Sequence, residues 1–380
     1  MVCQSQVNLT GLRTEHDMAW VAPQYKKHEV DDAGRILAKR NSSNPWDPYD
    51  ADLLQALTII NNWRSAHNFP LNTFQIGLRR RAKQSDPNSL IAQRIKRLPA
   101  IRHKLRIMGK WVPLSEMQDI GGCRAVVGNP GHVYNLVDNY VESDIKHKLE
   151  RMTDYIQTPK PTGYRGIHLI YRYNSDRSET YNGLQIEVQL RSPLQHAWAT
   201  AVETVGLFTR QALKSSRGEK EWLRFFALMG SALAIRERLP IIPDTPEDSK
   251  ELTKELRECA KQLDVVNHLH AFSQALQITE QPGRGKAHYF LLELDPVAKQ
   301  VKVFGYTQNQ LAQANTDYVE SERSAGKSGV DAVLVSVESL SALKRAYPNY
   351  FLDTGVFIKA VEQAVSRHRH MDSAKIADLN

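Results

Sequence analysis

The chain has 380 residues, 41% hydrophobic and 24% charged, a composition that excludes a disordered protein and leaves room for two or three domains. Its three cysteines, Cys3, Cys123 and Cys259, lack CxxC spacing and predict neither a disulfide framework nor a zinc site. With no apolar run of the ~18 residues that a membrane span needs and no signal-peptide pattern, we expect a cytoplasmic protein without a membrane partner.

The positive charge is concentrated in one segment. Eleven Lys/Arg residues and a single acid, Asp86, lie between Arg79 and Lys110, so this segment accounts for the whole net charge of +8. A charged run is commonly the solvated face of a helix, but such concentration also suits a polyphosphate or nucleic-acid partner. Composition leaves both interpretations open.

Helical patterns dominate the N-terminal part of the chain. Residues 1–45 show no clear period and are predicted to be irregular, with a polar, proline-containing loop at 41–48. Apolar residues at helical spacing predict a helix over 50–69, a second over about 73–83 and a third over about 87–108. Pro99 predicts a kink or a break in the third.

The hydrophobic period then changes to that of strands. GGCRAVVG (121–128), HLIYRYN (168–174) and LQIEVQLR (184–191) are predicted strands, with helices at 132–144 and from about 194. We therefore predict an α/β (α+β) fold in which helices flank a mixed sheet.

The predicted organisation has four parts. An irregular segment (1–45) precedes a main domain (46–235), and residues 236–282 form a linker and a helix. Residues 283–380, called the C-terminal unit below, show a ββαβα pattern and are predicted to be a small α+β domain of unknown role.

The stretch from Asp154 to Glu187 combines features that suit a phosphate site. A Pro-Lys-x-x-Gly-Tyr turn places Lys160, Gly163 and Tyr164 together, and His168 follows at a strand start. In the strand 184–191, apolar residues occupy one face and Gln185, Glu187, Gln189 and Arg191 the other. A solvated polar face and an ordinary turn are the commoner explanations of such patterns.

Asp119 and Glu187 are candidate ligands of one Mg²⁺ ion. Hard cations prefer carboxylate oxygens, and Mg²⁺ sites commonly use one or two carboxylates together with substrate phosphates. Because the two acids are distant in sequence, ordinary surface carboxylates remain the alternative. The pair His16–Asp17 has no companion His and Asp and is not a predicted metal site.

Four motifs, in this order and spacing, resemble the synthetase domain of the RelA/SpoT alarmone family over about residues 90–205. They are RIKRLPAIRHKL (94–105), DIGGCRAVV (119–127), DYIQTPKPTGYRGIH (154–168) and EVQLRSPLQHAW (187–198). The resemblance implies a nucleotidyltransferase-like fold and transfer of the β,γ-pyrophosphate of ATP to the 3′-hydroxyl of GDP or GTP, with Mg²⁺ as cofactor.

The resemblance also implies roles for individual residues. Asp119 and Glu187 would bind Mg²⁺, and Tyr164 would stack on the acceptor base. His168 would contact phosphates, while Gln189 and Arg191 would brace the site. ATP and its phosphates would be held by cations, namely Arg94, Lys96, Lys104 and Arg124, with Arg151 and Lys160 on phosphates of donor or acceptor.

Departures from the family pattern leave the acceptor open. They fall at Ala100, Thr153, the dipeptide Arg165-Gly166 and Glu203. One alternative is a toxin-like or phage-defence enzyme that modifies tRNA 3′ ends or adenosine nucleotides, with the C-terminal unit as neutraliser or sensor. Another is a non-catalytic nucleotide- or RNA-binding regulator. A homo-oligomer is compatible with each of these functions.

Overall fold

A computed structural model describes residues 20–39, 50–107, 112–208, 220–274, 277–281, 287–295, 297–298, 300–328, 330–337, 339–351 and 353–366. Cys3, the His16–Asp17 pair, the predicted loop at 41–48 and Lys110 lie outside these residues. The helices are α1 (Lys27–Lys39), α2 (Ala51–Ala66), α3 (Asn68–Ser85), α4 (Leu98–Ile107), α5 (Pro130–Val141), α6 (Pro193–Phe208), α7 (Lys220–Glu237), α8 (Ser249–Gln262), α9 (Val265–Gln274), α10 (Leu311–Ser328), α11 (Leu340–Ala346) and α12 (Gly355–Ser366). The strands are β1 (Leu90–Ile95), β2 (Gly121–Val126), β3 (Lys148–Asp154), β4 (Ile167–Arg172), β5 (Gln185–Arg191), β6 (Gln277–Gln281), β7 (Tyr289–Asp295), β8 (Gln300–Tyr306) and β9 (Asp331–Ser336).

The strands form one nine-stranded sheet in the order β3-β4-β5-β2-β1-β9-β7-β8-β6. The pairs β2–β5 and β6–β8 are parallel and the others antiparallel, so the sheet is mixed, as predicted. Within the described residues, no helix is long and apolar enough to cross a lipid bilayer.

Strand β5 shows how alternation divides the sheet into two faces. Ile186, Val188 and Leu190 are fully buried in the core that the sheet forms with α1, α2, α3 and α5. The intervening positions, Glu187 and Gln189, line a pocket on the opposite face. The strict alternation in the sequence therefore separates a hydrophobic face from a functional face.

The prediction of one helix over 87–108 is wrong. Residues Leu90–Ile95 form β1, which pairs with β2 on one side and β9 on the other, and only Leu98–Ile107 is helical. Pro99 occupies the first turn of α4, where its missing N–H leaves no intrahelical bond unmade. The proline therefore marks the beginning of a helix, and tertiary strand pairing decides the residues before it.

Two further segments are more regular than predicted. Residues 27–39, expected to be irregular, form α1, which packs against α2 and α4. The region 236–282, expected to be a linker and a helix, contains α8, α9 and β6. Strand β3 was not predicted, because its charged sequence KLERMTD, in which no residue is fully buried, lacks the alternation of apolar and polar residues.

The C-terminal unit has the predicted ββαβα order in β7, β8, α10, β9 and α11, followed by α12. Its strands extend the sheet of the main domain because β9 pairs with β1, with Gln93 opposite Ser336 and Arg94 opposite Val335. The predicted domain boundaries remain predictions. The pairing of β9 with β1 places the C-terminal unit beside the strand that carries Arg94.

The Lys and Arg residues of the cationic segment 79–110 make different kinds of contact. Arg81 is buried, with its guanidinium carbon 4.9 Å from the Tyr140 ring centroid. Lys83 donates to the carbonyls of Pro87 and Ser89 at 2.9 and 2.8 Å. Other members line a cleft described below, namely Arg94, Lys96, Arg97 and Lys104. The charge run is thus not one continuous surface, and two of its four cleft-lining members, Lys96 and Lys104, pair with one acid, Asp119.

His67 predicts a pH dependence of stability. It is 1% exposed, its Nδ1 lies 2.7 Å from the Trp63 carbonyl oxygen, and burial lowers its pKa to about 4. Because the unfolded chain takes up this proton at higher pH, the free energy of unfolding should fall by about 3 kcal/mol between pH 6.5 and 4. His67→Gln is expected to remove this part of the slope in urea unfolding measured from pH 4.5 to 7.5.

The control for this experiment is His28→Gln, at an exposed position on α1. It should follow the wild-type curve at every pH. Parallel curves for the wild type and His67→Gln would contradict the prediction.

Candidate functional site

Two cavities that share Arg94, Lys96 and Asp119 in their lining lie on the functional face of the sheet, beside the C-terminal unit. The inner pocket has a volume of about 70 Å³, room for roughly two water molecules. It is lined by Ala92, Arg94, Lys96, Asp119, Gly122, Cys123, Arg124, Glu187, Gln189 and Tyr347. The outer cleft has about 640 Å³, within the range of small-molecule sites. It is lined by Arg94, Lys96, Arg97, Ala100, His103, Lys104, Ile107, Asp119, Lys160, Glu203, Leu207, Leu294, Asp331 and Asn349.

Asp119 joins the two cavities and holds two lysines. Lys96, which follows β1, approaches Oδ2 at 2.7 Å, and Lys104 of α4 approaches Oδ1 at 2.9 Å. Burial raises the pKa of the Asp119 carboxyl, but the two ammonium groups outweigh burial and lower that pKa well below its usual range. Asp119 is therefore ionised, and it holds two cations at the border of the cavities.

Glu187 belongs to a closed ring of hydrogen-bonded side chains. Its Oε1 lies 2.7 Å from His168 Nδ1, and its Oε2 accepts from Gln189 Nε2 at 2.5 Å. Arg191 Nη2 donates to Gln189 Oε1 at 3.1 Å and to the Tyr164 hydroxyl at 2.8 Å. The Tyr164 hydroxyl closes the ring at 2.5 Å from His168 Nε2.

When His168 is neutral, the hydrogen-bond partners in the ring determine which atoms of Tyr164 and His168 carry the protons. Arg191 can only donate, so the Tyr164 oxygen accepts from it and gives its own proton to His168 Nε2. His168 Nδ1–H then donates to Glu187. Burial raises the pKa of Glu187, but the hydrogen bonds that it accepts from His168 and Gln189 lower it, and the net pKa lies below the usual value. The ring orients a charged carboxylate towards the inner pocket.

Pairing between strands brings this ring together. Glu187, Gln189 and Arg191 alternate along β5, and His168 of β4 lies directly opposite Gln189. On the other side of β5, Gly122 of β2 lies opposite Glu187 and Arg124 opposite Gln189. The absence of a side chain at Gly122 leaves the space in front of the carboxylate open.

The two acids predicted to bind Mg²⁺ line the same inner pocket. Their oxygens are the donors that a hard cation prefers. Among the described residues no group of three or more His, Cys, Asp and Glu could hold a metal ion, so substrate phosphates would have to complete the coordination. Both oxygens of Asp119 accept hydrogen bonds from lysines, so Asp119 could bind Mg²⁺ only after Lys96 or Lys104 gives up its bond. The phosphate oxygens of a substrate could then accept from the displaced ammonium group.

The other predicted cations are placed differently. Arg94 lines both cavities and Lys160 the outer cleft. Arg124 lines the inner pocket, where burial and the neighbouring Arg191 lower its pKa to about 10. Arg151 is exposed on β3, donates to Gln118 Oε1 at 2.6 Å, and lines neither cavity.

Tyr164, the predicted stacking residue, is 8% exposed. The Arg191 guanidinium lies 5.1 Å from its ring centroid, and Trp198 packs edge-on against it. Its neighbour Tyr155 is only half buried, and the Lys160 ammonium lies 4.4 Å from the Tyr155 ring centroid. A base would therefore find Tyr155 more accessible than Tyr164, an aromatic residue that sequence reasoning did not select.

Sequence reasoning also missed the contribution of the C-terminal unit. Tyr347 is 3% exposed and lines the inner pocket, with its ring centroid 5.3 Å from the Arg124 guanidinium carbon. Arg124 Nη2 donates to the Ala346 carbonyl at 2.5 Å, and the Tyr347 hydroxyl donates to the Gln93 carbonyl at 3.0 Å. No local motif marks Tyr347, because only the β1–β9 pairing brings it to the site.

Gly163 sets the conformation of the turn that precedes Tyr164. Its φ is +95°, and an added Cβ would lie 2.7 Å from the Phe226 carbonyl oxygen and 2.8 Å from Trp198 Cζ2. Gly163→Ala is therefore expected to lower the free energy of unfolding by about 3 kcal/mol, measured by urea denaturation.

Gly183→Ala is the matched control. Gly183 has a similar φ of +89°, but its added Cβ would meet only Arg172 Nη1 at 3.9 Å. The expected loss is about 1 kcal/mol, from backbone strain alone. Equal losses for the two variants would show that close packing around Gly163 contributes nothing.

Fold and site together define a protein with a cationic cleft and two carboxylates on the functional face of a mixed sheet, an arrangement suited to phosphate esters. Residues 93–206 match the family model described as the region found in RelA / SpoT proteins. The matched residues include Asp119, the side-chain ring and all six cations predicted to bind ATP or phosphates.

Among curated proteins, the GTP pyrophosphokinase YwaC of Bacillus subtilis is 32% identical over 111 residues. The match covers 28% of this chain and 52% of that protein, so the chain spans about half the length of this relative. Among solved structures, small alarmone synthetase 2 of Bacillus subtilis is 22% identical, with a TM-score of 0.39 over 47% of this chain and 93% of that one. Small alarmone synthetase 1 of the same organism, bound to its product pppGpp, is 17% identical with a TM-score of 0.40 over 48% and 92%.

Proposed function

We propose that this chain is a Mg²⁺-dependent pyrophosphokinase that transfers the β,γ-pyrophosphate of ATP to the 3′-hydroxyl of GDP or GTP, making (p)ppGpp. The observation that carries the proposal is the position of the Lys96–Asp119–Lys104 cluster beside the Glu187–His168 pair, all within the RelA/SpoT region. The name of the curated relative, a GTP pyrophosphokinase, supports the same reaction class.

The proposed reaction is an in-line displacement at the β-phosphorus of ATP. The acceptor 3′-oxygen forms a bond to this phosphorus, the bond to the α,β-bridging oxygen breaks, and AMP leaves with the electron pair. The acceptor proton passes to the Glu187 carboxylate. Such transfers depend mainly on positioning and on neutralising phosphate charge, for which this site offers cations rather than a nucleophile.

Each part of the site has a role in this proposal. Mg²⁺, held by Asp119 and Glu187, would supply neutralisation of the transferred phosphates. Lys96 and Lys104 give up their hydrogen bonds to Asp119 and donate to phosphate oxygens of ATP instead. Arg94 and Arg124 are further donors to these phosphates. The ring through His168 and Gln189 keeps Glu187 oriented. Tyr155 or Tyr164 provides the aromatic face for the acceptor base. We also propose that the protein is located in the cytoplasm.

A second candidate function follows from the C-terminal unit. It is a toxin-like or defence enzyme whose acceptor is an adenosine nucleotide or the tRNA 3′ end, and whose C-terminal unit restrains it. Arg124, a predicted ATP ligand, donates to the Ala346 carbonyl and faces the Tyr347 ring. With Tyr347 in its lining, the inner pocket of about 70 Å³ has no room for a nucleotide. The exposed cations Arg80 and Arg106 are available to an RNA backbone.

A label-transfer assay tests both functions. Purified protein is mixed with Mg²⁺ and γ-labelled ATP and, separately, with GDP, GTP, AMP, ADP or deacylated tRNA; Glu187→Gln is the control. Label on GDP or GTP supports alarmone synthesis, and label on tRNA or adenosine nucleotides supports the second function. The absence of label in every mixture, also for a variant with Tyr347 replaced by Ala, would favour a nucleotide- or RNA-binding regulator.

A further inference from the structure

Helix α4, which carries Lys104, begins without a capping residue of its own. The residues before it are Ile95, Lys96 and Arg97, and none of these side chains is a good acceptor for the free N–H groups of a helix start. The acceptor comes from the C-terminal unit, where Glu322 Oε1 of α10 accepts from the Leu98 N–H at 2.8 Å. A residue 224 positions away thus caps α4.

Glu322 is also half of a buried ion pair with Arg64 of α2. Arg64 Nη1 lies 2.8 Å from Oε2 and Nη2 lies 3.2 Å from Oε1, and the side chains are only 3% and 4% exposed. Tyr318 completes the cluster, since its hydroxyl accepts from Arg64 at 2.9 Å and donates to Glu322 at 2.7 Å.

Arg64 extends this cluster to the backbone on the other side of Arg97. Its Nε donates to the Lys96 carbonyl at 3.0 Å, while Glu322 holds the Leu98 N–H. The peptide groups on both sides of Arg97 are therefore fixed by one ion pair. The Arg97 side chain itself pairs with Asp331 of the C-terminal unit.

The segment held in this way leads directly into the cationic cleft. Lys96 lies within it and Lys104 lies on the helix that it begins, and both ammonium groups converge on Asp119. A shift of the backbone at 96–98 would move both cations, because Lys96 lies two residues before the start of α4 and Lys104 is part of α4.

We propose that Glu322, acting through Arg64 and the Leu98 N–H, is a positioning residue that holds Lys96 and Lys104 for the polyphosphate of the donor nucleotide. The C-terminal unit then has two parts with opposite effects on the site. Helix α10 assembles the cleft, whereas the segment after α11 fills the inner pocket. This inference rests on the proposed function for the identity of the donor.

The test is a comparison of ATP binding among full-length variants. ATP is titrated with Mg²⁺ by calorimetry into the wild type, Glu322→Gln and Glu255→Gln, each also in a background with Tyr347 replaced by Ala. Glu255 of α8 forms a two-point ion pair with Arg224 and lines neither cavity, so it is the matched control. We expect about tenfold weaker binding for Glu322→Gln, as for loss of a well-oriented charged hydrogen bond, and unchanged binding for Glu255→Gln.

Kinetics separate positioning from general destabilisation. In the transfer assay, Glu322→Gln should raise KM for ATP by the same factor and leave KM for the acceptor unchanged, whereas partial unfolding would lower kcat with both KM values unchanged. If Glu322→Gln does not fold, Tyr318→Phe, which removes one hydroxyl from the cluster, should weaken ATP binding about threefold.

The possible outcomes are distinct. Wild-type ATP affinity in a folded Glu322→Gln protein overturns the inference, as does an equal loss in Glu255→Gln. ATP binding without transfer to any acceptor overturns the proposed function, while the binding comparison still decides the role of Glu322. A protein that binds no ATP in either background overturns both.

Discussion

Glu187→Gln is expected to lower the rate of pyrophosphoryl transfer by about 10³-fold, the contribution of a positioned acid–base group. The substitution keeps the size of the side chain and removes its charge, so it removes both the proposed proton acceptor and one carboxylate of the predicted Mg²⁺ site. The ring around it, through His168 and Gln189, can still form hydrogen bonds to an amide. The measurement is the initial rate of label transfer at saturating ATP.

The control for this substitution is Glu150→Gln. Glu150 lies on β3 of the same sheet and forms an ion pair with Arg172, away from both cavities. Its rate should stay within about twofold of the wild type. A Glu187→Gln protein that melts like the wild type and transfers label at the wild-type rate would remove Glu187 from the chemistry.

Tyr347→Ala is expected to strengthen ATP binding by roughly 30-fold. In the structure Tyr347 lines the inner pocket, an arrangement called the closed state here. The cation–π contact with Arg124 and the hydrogen bond to the Gln93 carbonyl together stabilise this state by about 2 kcal/mol, which corresponds to the 30-fold factor. We expect the nucleotide to bind only an open state, in which Tyr347 has left the inner pocket. Its apparent affinity is then the intrinsic affinity multiplied by the fraction of protein in the open state. Removing the side chain takes the aromatic ring away from Arg124, whose hydrogen bond to the Ala346 carbonyl remains, and it enlarges the inner pocket. Calorimetry with ATP and Mg²⁺ measures the change in affinity.

Tyr289→Ala separates this effect from general loosening of the C-terminal unit. Tyr289 is also buried in that unit, but it packs in a different cluster with Tyr306 and Tyr318 and lines neither cavity. The Tyr289→Ala protein should have a lower free energy of unfolding than the wild type and should not bind ATP more tightly. Weaker or unchanged ATP binding by Tyr347→Ala would mean that Tyr347 builds the site rather than filling it.

The functional face of β5 could be predicted because alternation is a local property. Ile186, Val188 and Leu190 point to the core for the same reason that Glu187 and Gln189 do not, namely the two-residue period of a strand. The motif turn around Gly163 was equally readable, since a glycine in a proline-containing turn permits a backbone conformation that other residues avoid, and its φ is positive.

Strand β1 could not be predicted in the same way. The apolar residues of Leu90–Ile95 continue the 3.6-residue spacing of the apolar residues in the helix that follows, α4. The two segments together therefore look like one long helix in the sequence. Its state is decided by partners on both sides, β2 and β9, and the latter lies more than two hundred residues away in the chain. Pairing of this kind overrides local propensity and leaves no local signal.

By itself, the sequence determined the motifs, the strand alternation and the identity of the acids and cations, because these depend on residue type and spacing. Only the tertiary structure decided that Asp119 holds two lysines, that Glu187 belongs to a closed ring, that Tyr347 lines the inner pocket and that Glu322 caps α4. The physical reason is that hydrogen bonds and ion pairs require contact within about 3 Å. Sequence spacing specifies such distances within one element, whereas between distant elements they follow from how the sheet and helices pack.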